Sequence, residues 1–169
     1  MTAATNDTYE TFATTVGEYG VELHRVPETE VTETIADRLE GPAVGAPLPW
    51  EGIALPDGVT TDPTPAELDA AVTGVTAAAL GVADYGSVLL RATPDGAEPA
   101  SLFPDLHVFV LREADLVPDM QTAFERIGDR FGADRESAIL ATGPSATADM
   151  GALVEGAHGP KSVEGVVIE

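Results

Sequence analysis

The chain has 169 residues, no cysteine, and 29 acidic against 8 basic residues, which gives a formal net charge of −21. With 44% apolar residues, it has the length and composition of one folded domain with its own core, not of a disordered acidic chain. The charge excludes nucleic acid and anionic membranes as partners at ordinary ionic strength, and the missing thiols exclude disulfides, zinc–thiolate sites and cysteine-bound iron–sulfur clusters within this chain.

The first forty residues predict two helices and one strand. Apolar residues recur at steps of three or four between residues 9 and 23, which is typical of an amphipathic helix with Asn6 or Asp7 as its N-cap. The alternating segment Val21–Val26 predicts a strand. The segment Glu28–Leu39 predicts a second helix, which begins directly after a proline.

Residues 41–65 are dense in proline and glycine and predict an ordered loop with short strands near Ala43 and Ile53. At the end of this loop, Thr64 is expected to cap a short helix over Pro65–Ala71. We interpret the loop as part of the domain and not as a linker, so that residues 1–169 form a single domain.

The rest of the chain contains apolar runs that predict buried strands. These runs are Val75–Val82, Ser87–Arg91, Leu106–Leu111, Ser137–Ala141 and Val163–Ile168. Between them, Asp119–Phe131 predicts a helix whose core face consists of Met120, Ala123, Phe124 and Ile127. Strands that alternate with helices predict an α/β fold, with a mixed, mostly parallel sheet that carries helices on both faces.

The segment Thr142–Pro160 (TGPSATADMGALVEGAHGP) is the most informative part of the sequence. It directly follows the predicted strand Ser137–Ala141, and ligands of open α/β sheets bind at the carboxyl ends of strands. Gly143 and Gly159 permit tight turns and a close approach of the backbone to a ligand. We therefore place a candidate site in this segment.

Four polar residues of the segment offer suitable chemistry. Ser145 and Thr147, with the backbone N–H groups that follow, could cradle an anion at the start of a short helix. Asp149 could cap that helix or orient a neighbouring group, and His158 lies between two small residues that leave it accessible. Polar residues after a strand more often satisfy backbone groups, and the chain has no dinucleotide-binding, Walker or Gly-x-Ser-x-Gly motif.

Two runs in the segment resemble the C-terminal signature of the lactate-utilization (LUD) domain family. Thr142–Asp149 (TGPSATAD) is similar to the family's Gly-Pro-Ser-x-Thr-Ala-Asp run, and Gly156–Pro160 (GAHGP) is similar to its Gly-x-His-Gly-Pro run. A last apolar strand follows them, as in the family. Weaker upstream matches are Ala83–Leu89 (ADYGSVL), Phe103–Val110 (FPDLHVFV) and Val117–Asp119 (VPD). The resemblance covers the chain from about residue 74 onward, and the first part matches only in outline.

The resemblance implies a fold like that of ribose-5-phosphate isomerase and the CoA-transferases, and a role in the oxidation of L-lactate to pyruvate. Family members act in this process with an iron–sulfur subunit and a further oxidoreductase subunit. Members of the B type carry cluster-binding cysteines, so this cysteine-free chain is similar to the C type. We expect a non-redox component without a cofactor, which binds a small anionic or nucleotide-like ligand and docks to Fe–S oxidoreductase partners.

A second class of function stays open. Asp84 stands where the family usually has Glu, so a carboxylate is kept on a side chain that is one methylene shorter. As a reacting carboxylate, Asp84 would make the chain a stand-alone acyl- or CoA-transfer or sugar-phosphate-type enzyme. The alternative is that Asp84 only forms the turn before Gly86.

We predict that three segments meet in one site at the carboxyl ends of the central strands. They are the Gly143–Asp149 loop, the His158–Pro160 loop and the Asp84–Ser87 turn. Asp84 and His158 are the catalytic candidates. The ligand-binding candidates are Gly86, Ser87, His107, Gly143, Pro144, Ser145, Thr147, Asp149, Gly159 and Pro160. No His-x-His or His-x-x-x-His spacing is present, so no metal site is predicted.

Three further interpretations concern single residues. His24 is expected to be a surface or packing residue of the first strand. His107 is either a satisfied histidine at a strand end or a site residue. Trp50, the only tryptophan, is expected to anchor its loop by packing, with ligand stacking as the alternative.

The sequence also predicts where the protein works. No apolar run approaches the ~20 residues that a membrane-spanning helix needs, and Met1–Asp7 lacks the pattern of a secretion signal. We expect a cytoplasmic protein without membrane insertion. Because the acidic residues are spread along the chain, we interpret them as a solvated surface adapted to a salt-rich cytoplasm, as in a halophile, with a basic partner as the alternative.

This interpretation predicts that salt stabilises the fold. Raising KCl from ~0.1 M to above ~1 M shortens the Debye length from about 10 Å to about 3 Å, which screens the repulsion among 29 acidic side chains. The melting temperature, measured by circular dichroism, should rise with KCl. A melting temperature that stays flat or falls would contradict the prediction.

Overall fold

A computed structural model describes residues 3–131, 137–149, 152–156 and 158–169. Its helices are α1 (Ala3–Glu18), α2 (Val31–Ala36), α3 (Pro65–Ala70), α4 (Ala97–Leu102) and α5 (Met120–Phe131). Its strands are β1 (Glu22–Val26), β2 (Ala43–Gly45), β3 (Val59–Thr60), β4 (Thr73–Ala77), β5 (Leu80–Val82), β6 (Ser87–Arg91), β7 (Leu106–Arg112), β8 (Leu116–Val117), β9 (Ala138–Thr142), β10 (Ala146–Asp149), β11 (Ala152–Glu155) and β12 (Ser162–Ile168).

The main sheet has six strands in the order β1-β12-β7-β4-β2-β3, and every neighbouring pair is parallel. A second sheet, in the order β8-β5-β6-β9, is mixed. Strands β10 and β11 form a separate antiparallel hairpin. The predicted α/β class with a mostly parallel sheet is confirmed.

Strand β7 shows why its sequence is apolar without alternation. Successive side chains of a strand point to opposite faces of the sheet, and β7 is covered on both. Val108 packs in a cluster with Val31 of α2, whereas Phe109 packs in another cluster with Phe12 of α1. Helices therefore lie on both faces of the main sheet, as predicted, and the run Leu106–Leu111 is buried throughout.

The predicted cap of α3 is confirmed by hydrogen bonds. Thr64 caps α3 in a capping box: its hydroxyl accepts the Glu67 N–H at 3.3 Å, and its own N–H donates to the Glu67 carboxylate at 2.8 Å. At the start of α5, the Asp119 carboxylate accepts the Thr122 N–H at 2.7 Å. Gly20, with a φ of 75°, follows the end of α1 as a left-handed residue.

Other boundaries differ from the prediction. Helix α1 begins at Ala3, so Asn6 and Asp7 lie inside it and are not its cap. The helix predicted over Glu28–Leu39 is a 3₁₀ turn followed by the six residues of α2. Ile53 lies in a loop, and the short strand of this region is β3.

Two errors have a clear physical origin. Phe124 is 65% exposed, because α5 contacts the small second sheet through a narrow stripe that contains Ala123 and Ile127. Helix α4 was missed because its sequence, AEPASL, has no helical apolar pattern. It packs against Gly74, where any Cβ would overlap the Ala100 carbonyl oxygen. The close contact between α4 and β4 therefore requires glycine at this position.

None of the helices in the described ranges is long and apolar enough to cross a membrane.

The close approach of β12 to its neighbours generates a stability prediction. A Cβ at Gly165 would overlap the Phe109 ring and the Leu23 side chain, so Gly165→Ala should lower the free energy of unfolding by about 1–3 kcal/mol through overpacking. Gly17, in α1, has nothing within 4 Å of an added Cβ. The matched control Gly17→Ala should therefore raise the free energy of unfolding by up to about 1 kcal/mol. Urea melts of the two variants check the pair, and equal effects would contradict the packing argument.

Candidate functional site

A cavity of about 250 Å³ lies where the beginnings of β7 and β12 meet the end of β9. We call it the signature cavity, because residues of the Thr142–Pro160 segment form much of its wall. Its base is apolar and comes from several elements: Val16, Val21, Val88, Leu90, Phe109, Ile139 and Val163 line it.

Two of the predicted segments are tied together by backbone hydrogen bonds. The Ser145 N–H donates to the Pro160 carbonyl at 2.8 Å, and the Ser145 carbonyl accepts the Gly156 N–H at 2.9 Å. A Cβ at Gly159 would lie 3.1 Å from the Ser145 Cβ, so these two loops touch. Since the Ser145 N–H is already paired, its hydroxyl is the group that remains for a ligand.

The third segment reaches the same place through the second sheet. Strands β6 and β9 pair Ser87 with Thr142, and the two hydroxyls are 2.6 Å apart. Gly86, with a φ of 60°, lines the cavity and packs against α1, where an added Cβ would lie 3.1 Å from the Thr15 backbone. The three segments therefore converge.

His107 lies in the wall of the cavity and is only 2% exposed. Its Nε2 is 2.8 Å from the Thr76 hydroxyl on the neighbouring strand β4. Burial lowers the pKa of His107 to about 4, from an ordinary value of 6.5, because a charged imidazole is poorly solvated there. The ring is therefore neutral at physiological pH and can act as a hydrogen-bond partner but not as a fixed positive charge.

His158 contrasts with His107. It is exposed and belongs to the cavity lining, together with Gly159 and the buried Pro160. The two histidines thus contribute one buried and one solvent-accessible imidazole to the same cavity.

The cavity differs in charge from the rest of the molecule. None of the twenty described residues that line it is acidic, although the chain has 29 acidic residues. Its polar groups include the hydroxyls of Ser101, Thr142 and Ser145 and the two imidazoles. An anion that enters would escape the repulsion that the protein surface imposes.

Most of the predicted site residues lie in this cavity. Its lining includes Gly86, His107, Gly143, Pro144, Ser145, His158, Gly159 and Pro160. Ser87 is buried behind it, against Thr142. Asp84 is exposed and lies outside the lining, with its backbone N–H donating to the Pro118 carbonyl. Its role as a reacting carboxylate stays a prediction, for which the cavity offers no support.

Two structural expectations need correction. Thr147 and Asp149 were expected at the start of a short helix, but Ala146–Asp149 is strand β10 of a hairpin, so no helix N-terminus is available to hold an anion there. The side chains of these two residues lie outside the described part of the structure.

The position of the site on the main sheet also differs from the expectation. His107 and Val163 are the second residues of β7 and β12 and pair in register, so the cavity lies at the amino ends of these strands. The carboxyl-end prediction treated each of the three segments as a turn that follows or flanks an apolar strand. The His158–Pro160 loop instead precedes β12, because the β10–β11 hairpin returns the chain to that end of the sheet.

Sequence reasoning missed Thr76 and Ser101. Thr76 lies 31 positions before its partner His107 and has no local motif, so only strand pairing reveals it. Ser101 belongs to α4, the helix that was not predicted.

The other two interpretations concern residues away from this cavity. His24 on β1 is partly buried, with its Nε2 3.3 Å from the Glu164 carboxylate. Trp50 packs beside the core cluster of the α2 face, and the Arg112 guanidinium lies 5.6 Å from its ring centroid. Across the described ranges, no group of three or more His, Asp or Glu side chains could hold a metal ion.

Comparison with known proteins agrees with the resemblance of the motifs. Residues 8–168 match the LUD domain family model. Lactate utilization protein C of Deinococcus radiodurans is 32% identical over 162 residues, which cover 89% of this chain and 74% of that protein. Lactate utilization protein C of Oceanobacillus iheyensis is 31% identical, but the match covers 57% of this chain and only 43% of that protein.

A solved structure has the same fold. The crystal structure of a DUF162 family protein from Deinococcus radiodurans matches with a TM-score of 0.75 over 98% of both chains, at 24% sequence identity.

The buried His107 predicts a pH dependence of stability. Its pKa falls from 6.5 in the unfolded chain to about 4 in the folded one, so between these values the unfolded state binds more protons. The contribution of the neutral His107 to the free energy of unfolding is complete above pH 6.5 and is lost as the pH falls through about 4. The total loss is about 3 kcal/mol.

The measurement is the difference in unfolding free energy between wild type and His107→Gln, followed by urea melts from pH 7 to pH 4. The difference cancels the titration of the many carboxylates, which both proteins share. The advantage of the wild type should shrink as the pH falls, and a difference that is constant with pH would contradict the assignment.

Proposed function

The chain belongs to the LUD domain family, and on that premise we propose that it is a non-redox component of an L-lactate utilization system, which binds a small anionic ligand in the signature cavity. Two relatives carry the name lactate utilization protein C. The observation that carries the proposal is a cavity with no acidic residue in its described lining, to which the family's signature runs contribute seven of twenty residues, inside a protein of net charge −21.

The cavity supports a small ligand with two unlike ends. Its volume of about 250 Å³ is below the ~300–1,000 Å³ of pockets that enclose drug-sized molecules, so it favours the small anion over the nucleotide-like ligand. Ser145 and His158 offer hydrogen-bond donors for a carboxylate, and His107 is a neutral partner for a hydroxyl or keto group. Apolar residues such as Phe109 and Val163 suit a methyl group. L-Lactate and pyruvate have this chemistry.

The proposal includes a redox partner. Oxidation of L-lactate to pyruvate releases two electrons and two protons, and a chain without cysteine offers no thiolates for an iron–sulfur cluster to receive electrons. We therefore propose that the chain docks to Fe–S oxidoreductase subunits that take these electrons, while the signature cavity holds the substrate or the product.

Binding can be tested with the purified chain at high KCl. Isothermal titration should show binding of L-lactate or pyruvate, and Ser145→Ala and His158→Ala should each weaken it about tenfold or more, as expected for a lost hydrogen bond to a charged group. His24→Ala is the matched control, because His24 lies outside the cavity lining. If neither acid binds, or if the two cavity variants bind like the control, the assignment of the cavity is wrong.

The role in the cell is tested separately. Deletion of the gene should abolish growth on L-lactate but not on pyruvate, and the intact chain should restore it. If the cavity variants, at normal abundance, restore growth on L-lactate, the assignment of the ligand site is wrong but the role in lactate utilization stands. Normal growth of the deletion strain on L-lactate would contradict the role in lactate utilization itself. Copurification of the chain with a protein that has the visible absorbance of an iron–sulfur cluster is the corresponding test of the partner.

A further inference from the structure

The opposite end of the main sheet, where β2 and β4 have their carboxyl ends, contains a second crevice, which the proposed function does not use. Strands β2 and β4 are parallel neighbours that pair Val44 with Gly74. The chain that leaves β2 covers one face, where Ile53 joins the cluster of α2. The chain that leaves β4 crosses to the other face, where Ala78 joins the cluster of α1. Adjacent strands whose connections depart to opposite faces leave a crevice at their carboxyl ends, which is the usual place for a ligand in an open α/β sheet.

A cavity of about 460 Å³ lies at this point, and we call it the switch-point crevice. Its walls come from Ala46–Trp50, which directly follows β2, and from Ala77–Ala79, which begins at the last residue of β4. It is almost twice the size of the signature cavity and shares no lining residue with it. The two cavities therefore belong to different ends of the sheet.

The lining offers three kinds of contact. Trp50 and the two prolines beside it offer an apolar wall suited to a planar ring, and three consecutive alanines also belong to the lining. The carboxylates of Asp95 and Asp115 can accept hydrogen bonds from hydroxyl groups. Arg91 is the only cationic side chain among the described residues of the lining.

From this combination we propose that the switch-point crevice binds a nucleoside monophosphate. The base would lie against the Trp50 wall, the ribose hydroxyls would donate to the carboxylates, and the single phosphate would meet Arg91. The Arg112 guanidinium lies 5.6 Å from the Trp50 ring centroid, which is within the range of a cation–π contact. One arginine beside two carboxylates disfavours a second or third phosphate, which the net charge of −21 also repels. This inference stands independently of the lactate proposal.

The chain supplies its own reporter for the test. Trp50 is the only tryptophan, so all tryptophan emission comes from a residue that lines this crevice. AMP, adenosine and inorganic phosphate are titrated at high KCl, with isothermal titration as the second readout. AMP should bind with one-to-one stoichiometry and change the Trp50 emission, adenosine should bind more weakly, and phosphate should be weakest.

Two variants separate the parts of the site. Arg91→Gln should weaken AMP about tenfold and leave adenosine unchanged, whereas Arg126→Gln, a charge-matched control outside the lining, should change neither. Ala77→Leu should fill the crevice and block both ligands without altering L-lactate binding in the signature cavity. The proposal is overturned if AMP shows no saturable binding up to ~10 mM. It is also overturned if Arg91→Gln has the same melting curve as the wild type and binds AMP equally well.

Discussion

The insertion of the last strand, β12, between β1 and β7 is the constraint on which the rest of the structure depends. Seven residues of β12 pair with β7, and five pair with β1. Gly165 permits this placement, because the Phe109 ring and the Leu23 side chain occupy the space that a Cβ would need. Without β12, the first strand would have no partner in the main sheet, and both faces would lose part of their core.

The same insertion positions the signature cavity. The loop that leads into β12 is held at both sides, since Pro160 accepts the Ser145 N–H and the Lys161 N–H donates to the Asp105 carbonyl at 2.7 Å, just before β7 begins. His158 and Gly159 are therefore fixed relative to Ser145 and His107 by the sheet itself. A ligand site placed in this way needs no helix N-terminus. This agrees with the Thr142–Pro160 segment, where β10 and β11 form a hairpin in place of the expected helix.

Three of the described cations have structural tasks. Arg25 makes a two-pronged contact with the buried Glu113 at 2.8 and 2.9 Å and lies 4.5 Å from the centroid of the Tyr9 ring. Arg112 pairs with Glu28, and Lys161 pairs with Asp105. The signature cavity has no Arg or Lys among its described residues, so it depends on histidine and hydroxyl groups to receive an anion. The switch-point crevice contains Arg91, and this difference in chemistry leads us to propose different ligands for the two ends of the sheet.

The sequence by itself determined the fold class, most of the strands and the family. Buried strands such as Leu106–Leu111 and caps such as Thr64 are encoded by residues that are adjacent in the chain, and the run Thr142–Asp149 identifies the LUD domain without any structure. It also indicated eight of the twenty described residues that line the signature cavity, among them Ser145, His158 and their neighbouring glycines, which belong to that run or to the one that follows it.

Only the tertiary structure decided which end of the sheet carries this cavity and which side chains complete it. Strand order and direction depend on pairing between residues that are far apart in the chain, and no local pattern shows that the loops of the site meet at the amino ends of β7 and β12. Thr76 meets His107 across β4 and β7, α4 packs against Gly74 where a side chain would not fit, and Phe124 is exposed because α5 buries only a narrow stripe. The switch-point crevice likewise exists because the chain leaves β2 and β4 toward opposite faces, which is a property of the connections and not of any single segment.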